Sequence, residues 1–140
     1  MKPSPPVSPE SSLRPRQKDS FWRSLGVALA GAAHVLRTER NARIEAAIAL
    51  IVLGLGFWLR ITPQEWTVIF VLIALVLGLE MVNTAIEAAV DLACPEQHPL
   101  AKKAKDSAAG AVVVAAIASV AVGVVIFLPR LWLVALMILG

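Results

Sequence analysis

The chain has 140 residues, of which 58% are hydrophobic and 16% charged, and its formal net charge is +3. A chain of this length cannot hide so much apolar surface in its own core, so the composition excludes an ordinary soluble domain and predicts an integral membrane protein. The single cysteine, Cys94, excludes an internal disulfide and a multi-cysteine zinc site. We expect no nucleic-acid partner.

The first part of the chain contains two segments of different character. Residues 1–19 hold five of the nine prolines among serine and basic residues, and we expect a disordered cytoplasmic tail there. From residue 20 to 38, apolar side chains recur at helical spacing opposite Arg23, His34 and Arg37. This pattern predicts an amphipathic helix on the membrane surface, with Ser20 as its candidate N-cap.

Three apolar stretches, at residues 44–60, 66–90 and 107–128, predict membrane-spanning helices. The predicted fold is therefore an all-α integral membrane protein with three transmembrane helices and an N-terminal amphipathic surface helix. Eleven of the thirteen Lys and Arg residues precede the first span or lie between the second and third. This distribution predicts a cytoplasmic N-terminus and an outer C-terminus. After Pro129 and Arg130, we expect residues 131–140 to form a short apolar interfacial tail.

The second predicted span carries polar residues on one stripe: Glu80, Asn83, Glu87 and Asp91 follow each other at helical intervals. If Trp66 marks the outer interface, Glu80 lies about 21 Å down the helix, inside the cytoplasmic leaflet. Keeping a carboxylate there costs about 2–3 kcal/mol. We interpret Glu80 as a general base for the hydroxyl of a lipid head group. The structural alternative is hydrogen bonding between helices.

The segment between the second and third spans is suited to binding anionic phosphates. Two prolines interrupt the helical pattern there, and Lys102, Lys103 and Lys105 cluster before the third span. Acids for a metal, lysines for phosphates and a buried base together indicate phosphoryl transfer from a nucleotide to a lipid alcohol. Neither a P-loop nor a protein-kinase signature occurs in the sequence. Glu45 is interpreted as a structural residue that pairs with Arg43 or Arg40.

Two motifs identify a known family. They are E-M-V-N-T-A-I-E at residues 80–87, followed by Val90-Asp91, and A-K-K-A-K-D-S-A-A-G-A-V at residues 101–112. Together with His98-Pro99, they closely resemble the small bacterial membrane diacylglycerol kinase and undecaprenol kinase family over residues 21–128. The resemblance implies an ATP-dependent lipid kinase of the bacterial inner membrane. It also implies a homotrimer of three-span subunits whose sites are shared between neighbours.

The resemblance implies roles for individual residues. Glu80 corresponds to the catalytic base and, with Asn83, to the lipid-substrate site. Glu39 and Glu87 correspond to the carboxylates that hold the Mg²⁺ of Mg-ATP. The implied ATP site comprises Glu39, Glu87, Glu96, Gln97, His98, Lys105 and Asp106.

The sequence leaves the acceptor lipid open. Residues 40–44, R-N-A-R-I, look like the undecaprenol kinase branch, and Ala109 stands where the diacylglycerol branch commonly has Ser. Both diacylglycerol and undecaprenol therefore remain candidates. A different function, a non-enzymatic trimeric pore or proton carrier that uses Glu80, would not require Glu87, Lys105 and Asp106 at the interface.

Overall fold

The computed structural model describes residues 21–139, and every element of secondary structure in that range is a helix. In chain order these are α1 (Phe21–Thr38), α2 (Arg40–Trp58), α3 (Pro63–Ala93) and α4 (Pro99–Leu139). Helices α2, α3 and α4 are each long and apolar enough to cross a membrane. The predicted all-α membrane fold with three spans is confirmed. The predicted tail over residues 1–19 and the candidate cap Ser20 lie outside the described residues.

The chain divides into two compact units, Met1–Gly31 and Ala32–Gly140. In the described part of the first unit, the start of α1 exposes Phe21, Trp22 and Leu29. An amphipathic helix on a lipid surface would expose its apolar side chains in this way. The second unit holds the end of α1, all of α2 and α3, and α4. It contains every candidate site residue.

The turn between α2 and α3 is built by specific local contacts. Arg60 has a left-handed backbone conformation with φ of 51°, which lets the chain reverse direction within a few residues. Helix α3 then starts with a capping box. The Thr62 hydroxyl accepts from the Glu65 N–H at 3.4 Å, and the Glu65 carboxylate accepts from the Thr62 N–H at 2.7 Å. Pro63 at the first helical position adds a preset φ.

Helices α3 and α4 pack along each other as an antiparallel pair with an ion pair at each end. Glu65 binds Arg130 at 2.8 Å at one end, and Asp91 binds Lys105 at the other. The pairs are 26 residues apart on α3 (65 to 91) and 25 apart on α4 (105 to 130), so the two helices keep one register throughout. This separation corresponds to about 39 Å along the helix, enough to bracket a hydrocarbon layer of about 30 Å.

The buried apolar residues concentrate near the α2–α3 turn. Ile61, Ile69, Ile126 and Phe127 form one cluster, and Trp66 packs against it. The ring of Trp66 also contacts Phe57 and Phe70, with centroids 4.8 and 5.5 Å away. This end of the helical unit therefore carries most of the tight side-chain packing.

Two predicted helix boundaries need correction. Helix α4 does not stop at residue 128 but continues through Pro129 to Leu139. Proline removes one helical N–H, yet Arg130 donates from its guanidinium to the Ile126 carbonyl at 2.7 Å and also binds Glu65, which holds the chain in line. At its other end α4 already begins at Pro99. The lysines predicted to lie in a loop are therefore helical.

The close approach at Gly56 generates a stability prediction. A Cβ at this position would lie 2.8 Å from Cη2 of Trp66, whereas a Cβ at Gly54 would meet nothing within 4 Å. Glycine to alanine in an open helical position stabilises by about 0.5–1 kcal/mol, but overpacking costs about 1–3 kcal/mol. We expect Gly56→Ala to lower the thermal unfolding temperature of the detergent-purified protein and Gly54→Ala to maintain or raise it. A rise for both variants would contradict the packing described here.

Candidate active site

Two polar side chains of α3 are buried within the apolar part of the helix. Glu80 is 4% exposed and Asn83 is 7% exposed, and no other polar or charged residue in the described range is buried. Glu80 lies eleven residues from Asp91, about 16 Å along the helix, and so falls well inside the stretch bracketed by the two ion pairs.

The polar stripe of α3 is internally hydrogen-bonded. Asn83 donates from its amide nitrogen to Oε1 of Glu87 at 2.9 Å, and the Thr84 hydroxyl donates to the Glu80 carbonyl at 3.0 Å. The bond from Asn83 orients the Glu87 carboxylate and leaves its second oxygen available. The amide oxygen of Asn83 is buried and has no hydrogen-bond partner in the described part of the chain.

The junction between α1 and α2 contributes two more carboxylates. Glu39 has an extended backbone at the N-cap of α2, but its side chain does not cap the helix. Glu39, Ala42 and Glu45 follow at intervals of three, and Ala42 is 1% exposed, so this face of α2 packs inward. The carboxyl groups of Glu39 and Glu45 both interact electrostatically with that of Glu80. The carboxyl group of Glu87, which belongs to the same stripe of α3, also interacts electrostatically with that of Glu80.

A groove of about 210 Å³ runs between α2, α3 and α4. Its walls are apolar apart from Glu45 and Ser119, and it extends as far as Phe127. Oε2 of Glu45 is buried without a hydrogen-bond partner in the described residues. Unpaired buried acceptors are costly, so Glu45 in the groove and Asn83 on α3 are each a position where a donor from outside the chain can bind. An alcohol hydroxyl is such a donor.

A second cavity, of about 660 Å³, lies at the loop between α3 and α4. It is lined by Asp91, Cys94, Pro95, Glu96, Gln97, His98, Pro99, Ala101, Lys102 and Lys105. Four residues of the predicted ATP site, namely the three loop residues Glu96 to His98 and Lys105, therefore share one cavity. Glu39, Glu87 and Asp106 do not line it.

Lys105 and Asp106, both members of the implied ATP site, form separate ion pairs. Lys105 forms its ion pair with Asp91 across the two helices, and Asp106 forms one with Lys102, four residues earlier. Sequence spacing showed that Lys105 and Asp106 are neighbours in the chain. Because adjacent residues on a helix do not face each other, each finds its partner elsewhere.

Comparisons with known proteins show the family of the chain. The sequence model of the family described as prokaryotic diacylglycerol kinase matches residues 26–127. The chain belongs to this family. It is similar to the undecaprenol kinase of Bacillus subtilis, with 49% identity over 111 residues, 79% of this chain and 90% of the relative. It is also similar to the diacylglycerol kinase of Synechocystis, with 37% identity over 134 residues, 90% of this chain and 76% of the relative.

Family membership settles the class of the protein. It is a bacterial membrane lipid kinase, whose reaction depends on ATP. The family expectation drawn from residues 80–87 and 101–112 is confirmed. The alternative function, a non-enzymatic pore or proton carrier, is not supported.

The position of Glu45 differs from the one predicted. The sequence predicts that it pairs with Arg43 or Arg40, but in the described structure it lines the groove and interacts with Glu80. The available signal was its own position, since Glu45 is the one acid inside the first predicted span and intramembrane acids are usually functional.

The crowding of acids around Glu80 generates a prediction. Glutamine at this position keeps the side-chain volume and removes a buried acid from beside three others. We expect Glu80→Gln to raise the free energy of unfolding by about 1–2 kcal/mol, a typical gain when a site residue that destabilises the fold is replaced. Thermal unfolding in detergent measures the effect. Glu65→Gln, which breaks a favourable ion pair, is the matched control and should lower stability; a less stable Glu80→Gln variant would contradict the proposed crowding.

Proposed function

We propose that this lipid kinase transfers the γ-phosphate of Mg-ATP to the hydroxyl of undecaprenol, forming undecaprenyl phosphate. The observation that carries the proposal is a buried acid, Glu80, beside two unpaired buried acceptors on Asn83 and Glu45. A membrane-embedded alcohol supplies the donor that these acceptors lack. It also reaches Glu80 from within the bilayer.

Magnesium is proposed to lie with Glu39 and Glu87. Carboxylate oxygens are hard ligands that suit Mg²⁺, and this ion usually takes only one or two carboxylates plus phosphates and water. The described residues contain no group of three or more His, Cys, Asp or Glu side chains placed to hold a metal. A pair of carboxylates with an oriented Glu87 fits an ion that arrives with ATP. The bound ion would neutralise charge on the phosphates.

The chain's own residues then have distinct tasks in the transfer. Glu80 accepts the proton of the lipid hydroxyl, which makes the oxygen a better nucleophile for in-line attack. Asn83 orients the acid of Glu87 and presents its amide oxygen to the substrate. Lys105, with the loop residues Glu96 to His98, binds the nucleotide in the 660 Å³ cavity. Glu87 lies between the two regions, four residues from Asp91 and seven from Glu80, or about 6 and 10 Å along α3.

Undecaprenol is favoured over diacylglycerol as the acceptor. The R-N-A-R-I run at residues 40–44 forms the first turn of α2 directly after Glu39, and within it Ala42 is the buried residue. The relative named undecaprenol kinase shares 49% identity across 90% of its own length. The groove that leads away from Glu45 is almost wholly apolar, which suits a polyprenyl chain.

We further propose a homotrimer with a cytoplasmic N-terminus. Within one chain, only 17%, 17% and 22% of the most apolar windows of α2, α3 and α4 are buried. Lipid and neighbouring subunits would cover the remainder. The proposed orientation rests on the eleven cations that flank the loop end of the spans. It places the nucleotide cavity in the cytoplasm.

A side-by-side assay tests the acceptor. Detergent-purified protein with radiolabelled ATP should phosphorylate undecaprenol at a kcat/KM at least about tenfold above that for diacylglycerol, a difference of about 1.4 kcal/mol in transition-state stabilisation. Glu80→Gln should lose more than about 100-fold in kcat, the usual contribution of a general base, while ATP still binds. Preference for diacylglycerol would overturn the acceptor, and undiminished turnover of Glu80→Gln would overturn the base.

A magnesium titration tests the metal site. Glu39→Gln and Glu87→Gln each remove one proposed ligand, so each should raise the Mg²⁺ concentration that gives half-maximal activity about tenfold or more. Glu65→Gln is the comparison variant, because Glu65 binds Arg130 at the far end of α3; its Mg²⁺ requirement should stay close to that of the unaltered protein. An unchanged titration for both Glu variants would place the metal elsewhere.

A further inference from the structure

The ion pair between Asp91 and Lys105 lies on the wall of the nucleotide cavity. Asp91 is in the last turn of α3, Lys105 is in the second turn of α4, and both side chains line the 660 Å³ cavity. We propose that Asp91 is a positioning residue that holds the Lys105 ammonium ready for the phosphates of the nucleotide. The inference rests on the proposed ATP site and adds a residue to it.

The charges at this end of the helices oppose the helix dipoles. Acids are favourable at a helix N-terminus and bases at a C-terminus. Helix α3 instead ends with Glu87 and Asp91 and has no basic residue in its last turn, while α4 has no acid in its first turn and carries lysines close behind. Local charge placement that costs stability is typical of a functional site. Pairing Asp91 with Lys105 across the helices offsets part of that cost.

The chemistry of the ammonium group lets one lysine bind two partners. A lysine has three N–H donors, and the contact to Asp91 uses one of them. Two donors remain for phosphate oxygens. The Lys105 side chain is 34% exposed and Asp91 is 64% exposed, so the stem of Lys105 is partly packed and its charged end faces the cavity. Asp91 restrains the Lys105 side chain before a nucleotide binds, so Lys105 loses less conformational entropy on binding.

A carboxylate beside a phosphate site also repels the ligand. Asp91 is mostly exposed, so water screens this repulsion. The ion pair between Lys105 and Asp91 is a direct contact, so screening weakens it less than it weakens the longer-range repulsion between Asp91 and the phosphates. We therefore expect positioning to outweigh repulsion, and the two effects predict opposite changes when Asp91 is neutralised.

Nucleotide binding to the detergent-purified full chain tests the proposal. Asp91→Asn should raise the Kd and KM for ATP about three- to tenfold, a change of about 0.7–1.4 kcal/mol, with kcat altered less than about twofold. Asp91→Glu should restore most of the affinity. Lys105→Gln should weaken ATP binding by itself, and adding Asp91→Asn to it should weaken binding no further, because Asp91 acts through Lys105.

Glu65→Gln is the matched control, since it breaks the other ion pair between α3 and α4 at the far end of the same helices. It should lower thermal stability without changing the Kd for ATP. An unchanged or lower Kd in Asp91→Asn, or an equal loss in the Lys105→Gln background, would overturn the positioning role. If Asp91 controls ATP binding through Lys105 but the protein phosphorylates no lipid, the proposed function fails and this inference stands. If the protein phosphorylates lipid but its ATP binding does not change when Asp91 is substituted, only this inference fails.

Discussion

The antiparallel register of α3 and α4 is the constraint on which the site depends. Ion pairs at both ends, Glu65 with Arg130 and Asp91 with Lys105, are separated by nearly the same number of residues on each helix. A slip of one residue would rotate α3 by about 100° relative to its partner and would turn the polar stripe out of the packed interface. The same register that brackets the apolar layer therefore sets both the depth of Glu80 and the position of Lys105.

Packing and chemistry occupy opposite ends of the helical unit. The cluster of Ile61, Ile69, Ile126 and Phe127 lies near the α2–α3 turn, together with the aromatic rings in contact with Trp66. Around Glu80 the structure instead gathers acids and leaves acceptor oxygens unpaired. Such a site costs stability. A well-packed far end can supply that stability while the site end stays open to two substrates.

The sequence predicted the helices and the shared face of Glu80, Asn83 and Glu87 because both follow local rules. Length and hydropathy determine a span, and the intervals between Glu80, Asn83 and Glu87 place them on one face whatever the partner helix. The sequence did not predict contacts that depend on tertiary structure. The pairing of Asp91 with Lys105 and the approach of Glu45 to Glu80 require the relative positions of different helices. The passage of α4 through Pro129 likewise depends on contacts made by Arg130.

The depth of Glu80 also bears on the proposed choice of alcohol. The proposed base lies about 16 Å along α3 from the proposed nucleotide cavity, so a hydroxyl that stays in water would not reach it, and the phosphates would have to extend inward past Glu87. Glu87 lies on the same stripe, between the cavity and Glu80, and its carboxylate is already oriented by Asn83. The stripe is therefore a polar path from the aqueous cavity into the membrane. An acceptor whose hydroxyl sits directly on an apolar chain would meet that path at its inner end, which is the chemical reason for proposing a polyprenol as the acceptor.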